Sequence, residues 1–313
     1  MDQQNQIPQR QNEPQEIERH AARRHLYKRA SLCVAAQMIF LVAAPLVWSV
    51  LIVFFPSLQI WAALFGITLS LLDALFIDQF QKTLKGRAAK IQEAFDCGVL
   101  ELPWNKLKAG RQPDVEQVIE CSKKYRSRVP SDQEFRDWYP AVVGSLPPHL
   151  ARLVCQRTNC WWSSKLRRQF ATWILVAVAL TGPTVFAIGL VGGMSLEKFV
   201  LAVLAPVLPA ALWGIRTVRS HFESAEATDR LAAHAEDLWE KAVKGDLSKA
   251  QCEREARALQ DEIFERRKSD PIIFDWVYRV FRTSYEEQSR RSADILVAEA
   301  TAQLERKSPR QEG

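Results

Sequence analysis

The chain has 313 residues, enough for two ordinary domains, and its 42 basic against 36 acidic residues leave a net charge of +6. This modest excess is weak evidence for a nucleic-acid partner, and we predict binding to neither DNA nor RNA. The mean hydropathy of −0.15 is typical of a soluble protein, but it averages over a very uneven distribution. Long uncharged blocks alternate with highly charged segments along the chain.

Four apolar blocks predict helices that cross a membrane. Residues 31–55, 169–195 and 199–215 contain no charge, and in residues 57–77 the single charge is Asp73. A bilayer core of about 30 Å requires roughly 17–25 helical residues, which each block supplies. Buried helices of a soluble domain would carry a polar face, and these blocks have none. The sequence therefore predicts a mainly all-α integral membrane protein with four transmembrane helices.

The four helices are expected to pair into two transmembrane hairpins, residues 31–78 and 169–216. The short connections inside each hairpin carry little charge, whereas basic residues cluster on the opposite flanks. These flanking basic residues are Arg23, Arg24, Lys28, Arg29, Lys82, Lys85, Arg87, Lys90, Arg167, Arg168, Arg216 and Arg219. Because positively charged flanks stay in the cytoplasm, we expect a cytoplasmic N-terminus, a cytoplasmic C-terminus and a cytoplasmic segment between the hairpins.

Three segments remain for the cytoplasm, residues 1–30, 79–168 and 217–313. The first dozen residues are rich in Gln and poor in apolar groups, so we expect them to be loosely ordered. Apolar residues at helical spacing recur through much of the rest. We expect these helices to pack into one cytoplasmic domain. The alternative is a coiled-coil tail, which the short and imperfect repeats do not favour.

Local signals in the C-terminal segment predict where its helices begin and end. Gly245 follows a helical pattern and is a natural helix stop. Ser248, with Gln251 three residues later, has the form of a capping box. Asp270 before Pro271 predicts the start of another helix.

The sequence contains no recognisable catalytic or metal-binding motif. Cys155 and Cys160 are separated by four residues with no His nearby, which does not favour a zinc site. The patterns of P-loop proteins, dinucleotide-binding proteins, zinc proteases and serine hydrolases are missing. We predict that the protein is not an enzyme and that it needs no metal and no cofactor.

Aromatic and basic residues stand close together in the segment between the hairpins. A ligand with bases and phosphates needs flat rings for stacking, guanidinium groups for phosphate oxygens and amides for base edges. We therefore predict a nucleotide-binding site, with Arg126, Arg128 and Arg157 on phosphate and Trp104 or Trp138 stacked on a base. The full set of candidate residues is Trp104, Asn105, Arg126, Arg128, Arg136, Trp138, Arg157 and Asn159. The alternative for Trp138 is a simple place in the core.

Several motifs in this segment and in the tail resemble one known family. The motifs are FDCGVLELPWN, RDWYP, RLVCQRTNCWWSSKLRR and SDPIIFDWVYR. Their order around two membrane hairpins is similar to that of the SMODS-associating four-transmembrane effector family. The chain departs from the family at Ser163, because the family has an acidic residue directly after the Trp pair, and no role is assigned to Ser163.

The resemblance implies a function in bacterial anti-phage defence. Proteins of this kind are encoded beside CD-NTases, the synthases of nucleotide second messengers, in CBASS operons. The resemblance implies that a cyclic di- or trinucleotide activates the protein, which then permeabilises the bacterial inner membrane and causes abortive infection. Four helices are few for a pore, so we expect a homo-oligomer. The alternatives are a membrane scaffold or sensor that anchors a signalling partner, and an ordinary small channel or transporter.

A stripe of small and polar residues follows one side of the second apolar block. Its members repeat at spacings of three and four and are Gln59, Ala62, Gly66, Ser70 and Asp73. A carboxylate that faced lipid would cost several kcal/mol, so this stripe should face protein or water. It is either a tight contact between helices or one wall of a pore. Asp78, in contrast, is expected at the membrane interface.

Overall fold

The structure is a computed structural model that describes residues 5–44, 47–48, 51, 55–191, 195–200 and 204–307. Every regular element in these ranges is helical, which confirms the predicted all-α class. The eight longer helices are α1 (Pro14–Met38), α2 (Gln59–Leu72), α3 (Asp78–Val99), α4 (Val115–Arg126), α5 (Pro148–Val191), α6 (Ala205–Lys244), α7 (Lys249–Ser269) and α8 (Asp275–Lys307).

Shorter helical pieces connect these elements. Single α-helical turns lie at Ile7–Arg10, Lys106–Ala109 and Leu196–Phe199. The 3₁₀ turns lie at Pro56–Leu58, Gln133–Phe135 and Ala141–Ser145. Two segments wind as π-helix, Ile39–Ala43 directly after α1 and Asp73–Ile77 between α2 and α3. A π-helical turn inside a longer helix is rare and is frequently found at functional sites.

One helical stretch of the described chain, Ile60–Val99, is long and apolar enough to cross a membrane. None of its apolar window is buried against the rest of the protein. Ile60 and Trp61 near its start are 79% and 63% exposed, and such contiguous apolar exposure requires an apolar surrounding. The other three apolar blocks include residues outside the described ranges. That the chain has four membrane spans therefore stays a prediction.

The helices run without a break across the predicted domain boundaries. Helix α1 continues through residue 30, and α5 and α6 continue through residues 168 and 216. At 1.5 Å per residue, the 44 residues of α5 extend about 66 Å, more than twice the thickness of a bilayer core. The same helices therefore form both the predicted spans and the walls of the predicted cytoplasmic domain.

The main hydrophobic core is a cluster of buried apolar residues from α3, α5, α6, α7 and α8, joined by Ile7 and by the loop before α5. Phe95, Tyr139 and Leu150 are among its largest fully buried members. The Tyr139 hydroxyl donates to Asp96 at 2.8 Å, which satisfies its polar end inside the core. The expected packing of central and C-terminal helices on one another is therefore present.

The expectation of a loosely ordered N-terminus was wrong for residues 5–12, the part of it that the structure describes. Asn5, Ile7 and Gln11 are buried, and Ile7–Arg10 forms a helical turn. The Gln11 amide donates to the Tyr139 carbonyl at 3.1 Å, while its oxygen accepts from the Tyr139 N–H at 2.7 Å. The Asn5 amide donates to the Val143 carbonyl at 2.6 Å. The Gln-rich composition suggested disorder, but these amides instead pair with backbone groups that the core would otherwise leave unsatisfied.

The helix ends in the tail follow two of the three local signals. Gly245 adopts a left-handed conformation with φ of 85° directly after α6, and Ser248 and Gln251 form the capping box of α7. The last helix begins at Asp275, four residues after the predicted start at Pro271. The reason is that Lys85 and Arg167 donate to the carbonyls of residues 269–271, which holds this linker outside a helix.

Candidate functional site

A cavity of about 220 Å³ lies where α1, α3, α5, α6, α7 and the start of α8 meet. We call it the basic cavity because seven basic residues and two acidic residues line it. The basic residues are Arg23, Arg24, Lys28, Lys85, Arg167, Arg266 and Arg267, and the acidic residues are Asp270 and Asp275. Four aromatic rings complete the walls, those of Tyr27, Trp138, Trp162 and Tyr278.

Helical spacing explains why these side chains converge. Residues four apart lie on one face of a helix. On α1 this places Arg23 with Tyr27 and Arg24 with Lys28, and all four line the basic cavity. On α5 the same spacing aligns Asn159, Ser163 and Arg167 along one wall. Two long helices therefore each present a continuous strip of polar side chains to the cavity.

Arg23 is the most unusual of these side chains. It is 7% exposed, and within the described ranges no carboxylate lies within 4 Å of it. Its Nε donates to Nδ1 of His20 at 2.9 Å, and its guanidinium lies 4.4 Å from the centroid of the Trp138 ring. Burial and the neighbouring Arg24 lower the pKa of Arg23 to about 10, so the side chain remains charged at neutral pH. A buried and unpaired cation is costly, and such groups are a common feature of ligand sites.

His20 stays neutral beside this cation. The imidazole is fully buried against Phe95 and Trp138, with ring centroids at 3.9 and 4.8 Å. Burial, followed by the charges of Arg23 and Arg24, lowers the pKa of His20 well below its usual value. The neutral ring can therefore accept the bond from Arg23, but it contributes no charge to balance the guanidinium.

Other cations of the basic cavity are neutralised. Arg24 lies 3.1 Å from Asp275, and Arg167 lies 3.4 Å from Asp270. Arg266 lies 3.8 Å from the same Asp270. Arg267 pairs with the fully buried Asp96 of α3, outside the cavity lining. These pairs fix the walls, whereas Arg23 has no such partner.

Lys85 and Lys28 resemble Arg23 in lacking a carboxylate. Within the part of the chain that the structure describes, neither ammonium lies within 4 Å of an acidic group. Lys85 is 8% exposed and donates to the carbonyls of Ser269 and Asp270, both at 3.0 Å. Burial and the nearby Arg167 lower its pKa. Three positive charges therefore face the cavity without direct compensation.

The aromatic side chains form a second functional element. Trp162 and Tyr278 lie with ring centroids 5.9 Å apart, and the Arg24 guanidinium lies 4.5 Å from the Tyr278 ring. Trp138, Asn159, Trp162 and Tyr278 also line a smaller adjoining cavity of about 70 Å³. The buried Nδ2 of Asn159 has no hydrogen-bond partner, so the amide is free to donate to a ligand. The arrangement suits a ligand that combines anionic groups with flat rings.

The structure brings together some of the candidate residues that the sequence suggested. Trp138 and Asn159 line both cavities, and Arg136 lines the smaller one. The other five lie outside the lining of either cavity. They are Trp104, Asn105, Arg126, Arg128 and Arg157.

Those five residues have structural partners or lie on the surface. The Trp104 indole donates to the Gly110 carbonyl at 2.8 Å, and Asn105 caps the helical turn Lys106–Ala109. Arg126 pairs with Asp132 at 3.0 Å, and Arg157 pairs with Glu236 at 3.2 Å. Arg128 is exposed.

Within the described residues, the predicted stripe makes few contacts with the rest of the chain. A side chain added at Gly66 would meet no atom within 4 Å, and Ser70 is exposed. Asp73 accepts a hydrogen bond from the Gln37 amide at 2.7 Å, within the first predicted hairpin. Ala62 is half-buried, and the side chain of Gln59 lies outside the described part of the chain.

Sequence reasoning missed Arg23, Lys28 and Lys85 as site residues. It used each of them only as a positive flank of a predicted membrane helix. A signal for a second role is present in the sequence, because Arg23 and Tyr27 are one helical turn apart on a helix that precedes a membrane span. The absence of a carboxylate near Arg23, however, depends on long-range packing and cannot be read from the sequence.

Comparison with known proteins identifies the family. The model of the SMODS-associating 4TM effector domain matches residues 5–296. A protein of Bacillus cereus (strain VD146), described as a "Probable CBASS effector molecule", is 24% identical over 277 residues, which cover 86% of this chain and 90% of that protein. No solved structure shows a significant match. The family description, four transmembrane segments, indicates a membrane protein. The chain therefore belongs to the SMODS-associating 4TM effector family, which confirms the resemblance given by its sequence motifs.

Proposed function

We propose that the protein is a membrane effector of anti-phage signalling that a cyclic di- or trinucleotide activates through the basic cavity. Membership of an effector family and the name of the Bacillus cereus relative support the anti-phage role. The observation that carries the ligand assignment is Arg23, a buried guanidinium without a carboxylate partner in an aromatic cavity. The messenger would come from a CD-NTase, and the protein would act in the bacterial inner membrane with both termini in the cytoplasm.

The chemistry of the cavity assigns a role to each group. Phosphate oxygens bind Arg23 and Lys85, where they supply the negative charge that the cavity lacks. A base stacks between Trp138 and Tyr278, and the Asn159 amide donates to its edge. These two rings already contact Arg23 and Arg24, so base and phosphate recognition share one set of side chains.

The size of the basic cavity implies that binding changes the protein. Its volume of about 220 Å³ is below the range of about 300–1,000 Å³ that is usual for ligand pockets. A cyclic dinucleotide therefore requires the cavity to widen or to merge with the adjoining cavity of about 70 Å³. The wall between them is formed by Trp138, Asn159, Trp162 and Tyr278. Movement of this wall would shift α5 relative to α8.

The walls of the basic cavity provide a route to the membrane. Helices α1 and α5 line the cavity and continue into the first and third predicted spans. A ligand shifts such an equilibrium only through its differential affinity for the two states, and about 5.5 kcal/mol changes a population from 1:99 to 99:1. Binding would favour an oligomeric or open state of the four predicted spans, and the membrane would become permeable.

The binding step can be tested on purified full-length protein with a panel of cyclic di- and trinucleotides in titration calorimetry. We expect at least one of them to bind, and Arg23→Gln to weaken its binding by about tenfold or more, because one charge-assisted hydrogen bond is lost. The matched control is Arg254→Gln, an exposed residue of α7 outside the cavity. Equal binding by the two variants would contradict the assignment to the basic cavity.

The membrane step can be tested by leakage of dye from liposomes that contain the protein. We expect leakage when the bound nucleotide is added and little leakage without it. Arg23→Gln should abolish the response, while Arg254→Gln should retain it. If the protein binds a nucleotide but causes no leakage, the scaffold alternative replaces the pore.

A further inference from the structure

A third cavity, of about 260 Å³, lies where the cytoplasmic ends of the predicted spans meet. We call it the junction cavity. Val34 and Gln37 of α1, Phe170 of α5 and Trp213 of α6 line it, and they belong to the first, third and fourth apolar blocks. Gln81 of α3 lies about one turn beyond the remaining block. Under the predicted topology, this cavity lies at the depth of the lipid headgroups in the cytoplasmic leaflet.

The polar lining of the junction cavity favours an anion. Among the described residues that line it, Arg216 is the permanently charged one and none is acidic. Within the described ranges, Arg216 has no carboxylate within 4 Å, whereas Arg219 on the next turn pairs with Glu223 at 2.7 Å. The hydroxyl of Ser220 and the amide of Gln81 can supply further hydrogen bonds.

His221 adds a buried polar group to the lining of the junction cavity. Its ring is 1% exposed, and its buried Nδ1 has no hydrogen-bond partner. The ring meets Phe170 edge-on, with centroids 4.9 Å apart. Burial keeps the ring neutral by lowering its pKa to about 3. An unsatisfied buried polar atom is costly, and a ligand with hydrogen-bonding oxygens would relieve that cost.

The remaining walls are apolar and include Val34, Trp213, Ile272 and Phe274. A free inorganic anion gains nothing from such walls, whereas the glycerol and upper acyl carbons of a lipid bury apolar surface against them. Basic pockets between membrane helices on the cytoplasmic side are known to bind anionic headgroups.

We propose that the junction cavity binds the phosphate of an anionic phospholipid of the cytoplasmic leaflet. Arg216 holds the phosphate, Ser220 and His221 lie beside it, and the apolar walls cover the glycerol region. This lipid site rests on the proposed function only because both assume the same position of the membrane. Pro271 and Ile272 line this cavity and the basic cavity alike, so the lipid and the nucleotide contact opposite sides of one linker.

The experiment uses full-length protein from nanodiscs that contain phosphatidylglycerol in phosphatidylcholine. Native mass spectrometry then counts the phosphatidylglycerol that the protein retains. We expect Arg216→Gln to reduce retention by about tenfold, through the loss of one charge-assisted hydrogen bond. Arg219→Gln, one turn away and 80% exposed, should retain lipid like the unaltered protein. Ser220→Leu, which fills the cavity, should also reduce retention, and excess inorganic phosphate should leave it unchanged.

Two outcomes would overturn the lipid site. One is equal retention by the Arg216 and Arg219 variants, and the other is displacement of the lipid by inorganic phosphate. Nucleotide binding by the same preparations reports separately on the proposed function. Normal nucleotide binding together with unselective lipid retention would reject the junction cavity alone. Selective retention without nucleotide binding would reject the basic cavity alone.

Discussion

At the scale of single residues, Arg23 and Arg267 are both buried guanidinium groups, but their surroundings differ. Arg267 pairs with Asp96, and the pair links α7 to α3. Arg23 has an imidazole and an indole ring as neighbours and no acid. Removal of one partner from a buried ion pair is strongly destabilising, whereas removal of an unpaired buried charge relieves a desolvation cost.

We therefore predict opposite effects for Arg23→Met and Arg267→Met on thermal unfolding in detergent. Arg267→Met should lower the free energy of unfolding by about 3–5 kcal/mol, because Asp96 is left buried and unpaired. Arg23→Met should leave stability unchanged or raise it, and yet abolish nucleotide binding. A stability loss of similar size in both variants would show that Arg23 has a structural role.

Glu16 gives the stability a pH dependence. It is 5% exposed, and its Oε1 accepts from Arg19 at 2.5 Å while Oε2 has no partner. Burial raises the pKa of Glu16 to about 7, more than the opposing effect of Arg19 lowers it. Between pH 4.5 and 7 the folded state therefore binds more protons than the unfolded state at this site, so stability falls as pH rises through this window.

We predict that Glu16→Gln removes this decline. At pH 5 the variant and the unaltered protein should unfold at similar temperatures, because the carboxyl group is protonated. At pH 8 the variant should be more stable by up to a few kcal/mol, as expected for a shift of this size. Thermal unfolding between pH 5 and 8 measures the effect, and parallel pH profiles for the two proteins would contradict it.

Residues of the site could be predicted only in part. The mix of rings, amides and guanidinium groups singled out Trp138 and Asn159, which do line the basic cavity. The same mix also selected Trp104, Asn105 and Arg126, which the fold uses for a turn, a cap and an ion pair. A sequence shows which side chains are chemically suitable, but the absence of a carboxylate around Arg23 among the described residues is a property of six helices packed together.

At the scale of elements, α5 and α6 are the long antiparallel pair that carries the second predicted hairpin. Gly214 lets them approach, because a Cβ at this position would lie 2.5 Å from a methyl carbon of Val178. Small residues at such contacts are the usual means of close packing between membrane helices. Gly66 of α2 has no such neighbour within 4 Å.

We predict that Gly214→Ala destabilises the protein by about 1–3 kcal/mol through overpacking. Gly66→Ala should have no destabilising effect on the single chain. Thermal unfolding in detergent compares the two. If Gly66→Ala leaves unfolding unchanged but weakens self-association, α2 is part of the interface between subunits.

Helix ends were easier to predict from the sequence than the residues of the basic cavity. The stop at Gly245 and the capping box of Ser248 and Gln251 are local, and a few residues suffice to specify them. The start of α8 and the ordered conformation of the N-terminal residues depend on groups that lie far away along the chain. Lys85 and Arg167 hold the linker before α8, and the loop at Tyr139 holds Gln11. Where the competing partner lies far away along the chain, local pattern gives the wrong answer.

At the scale of the whole molecule, the polar pair of Gln37 and Asp73 lies in the predicted membrane region, between the first two spans. Gln37 also lines the junction cavity, so polar groups continue from the cytoplasmic face toward Asp73. Asp73 begins a π-helical segment and remains half-exposed beyond its bond to Gln37. The hydrogen bond to Gln37 makes Asp73 a contact between the first two predicted spans, and the exposed part of its side chain can meet water or another subunit.

We predict that Asp73→Asn changes the ion selectivity of the nucleotide-triggered leak without loss of folding or nucleotide binding. Liposomes under opposing cation and anion gradients measure the selectivity. Asp78→Asn is the control, because Asp78 pairs with the exposed Lys82 at 2.6 Å one turn nearer the cytoplasm. If both variants had the same ion selectivity, Asp73 would contribute to helix packing and not to the ion path.

The anchored N-terminus has a consequence for synthesis of the protein. Asn5 binds the carbonyl of Val143, a partner 138 residues later in the chain. At a translation rate of about 5–20 residues per second, the first residues wait on the order of ten seconds for this partner to leave the ribosome. Under the predicted topology, the first hairpin enters the membrane during that interval, while α1 lacks most of the helices that pack on it. The basic cavity also forms late, because α7 and α8 supply part of its lining. Under the proposed function, the protein would therefore respond to a nucleotide only when its synthesis is nearly complete.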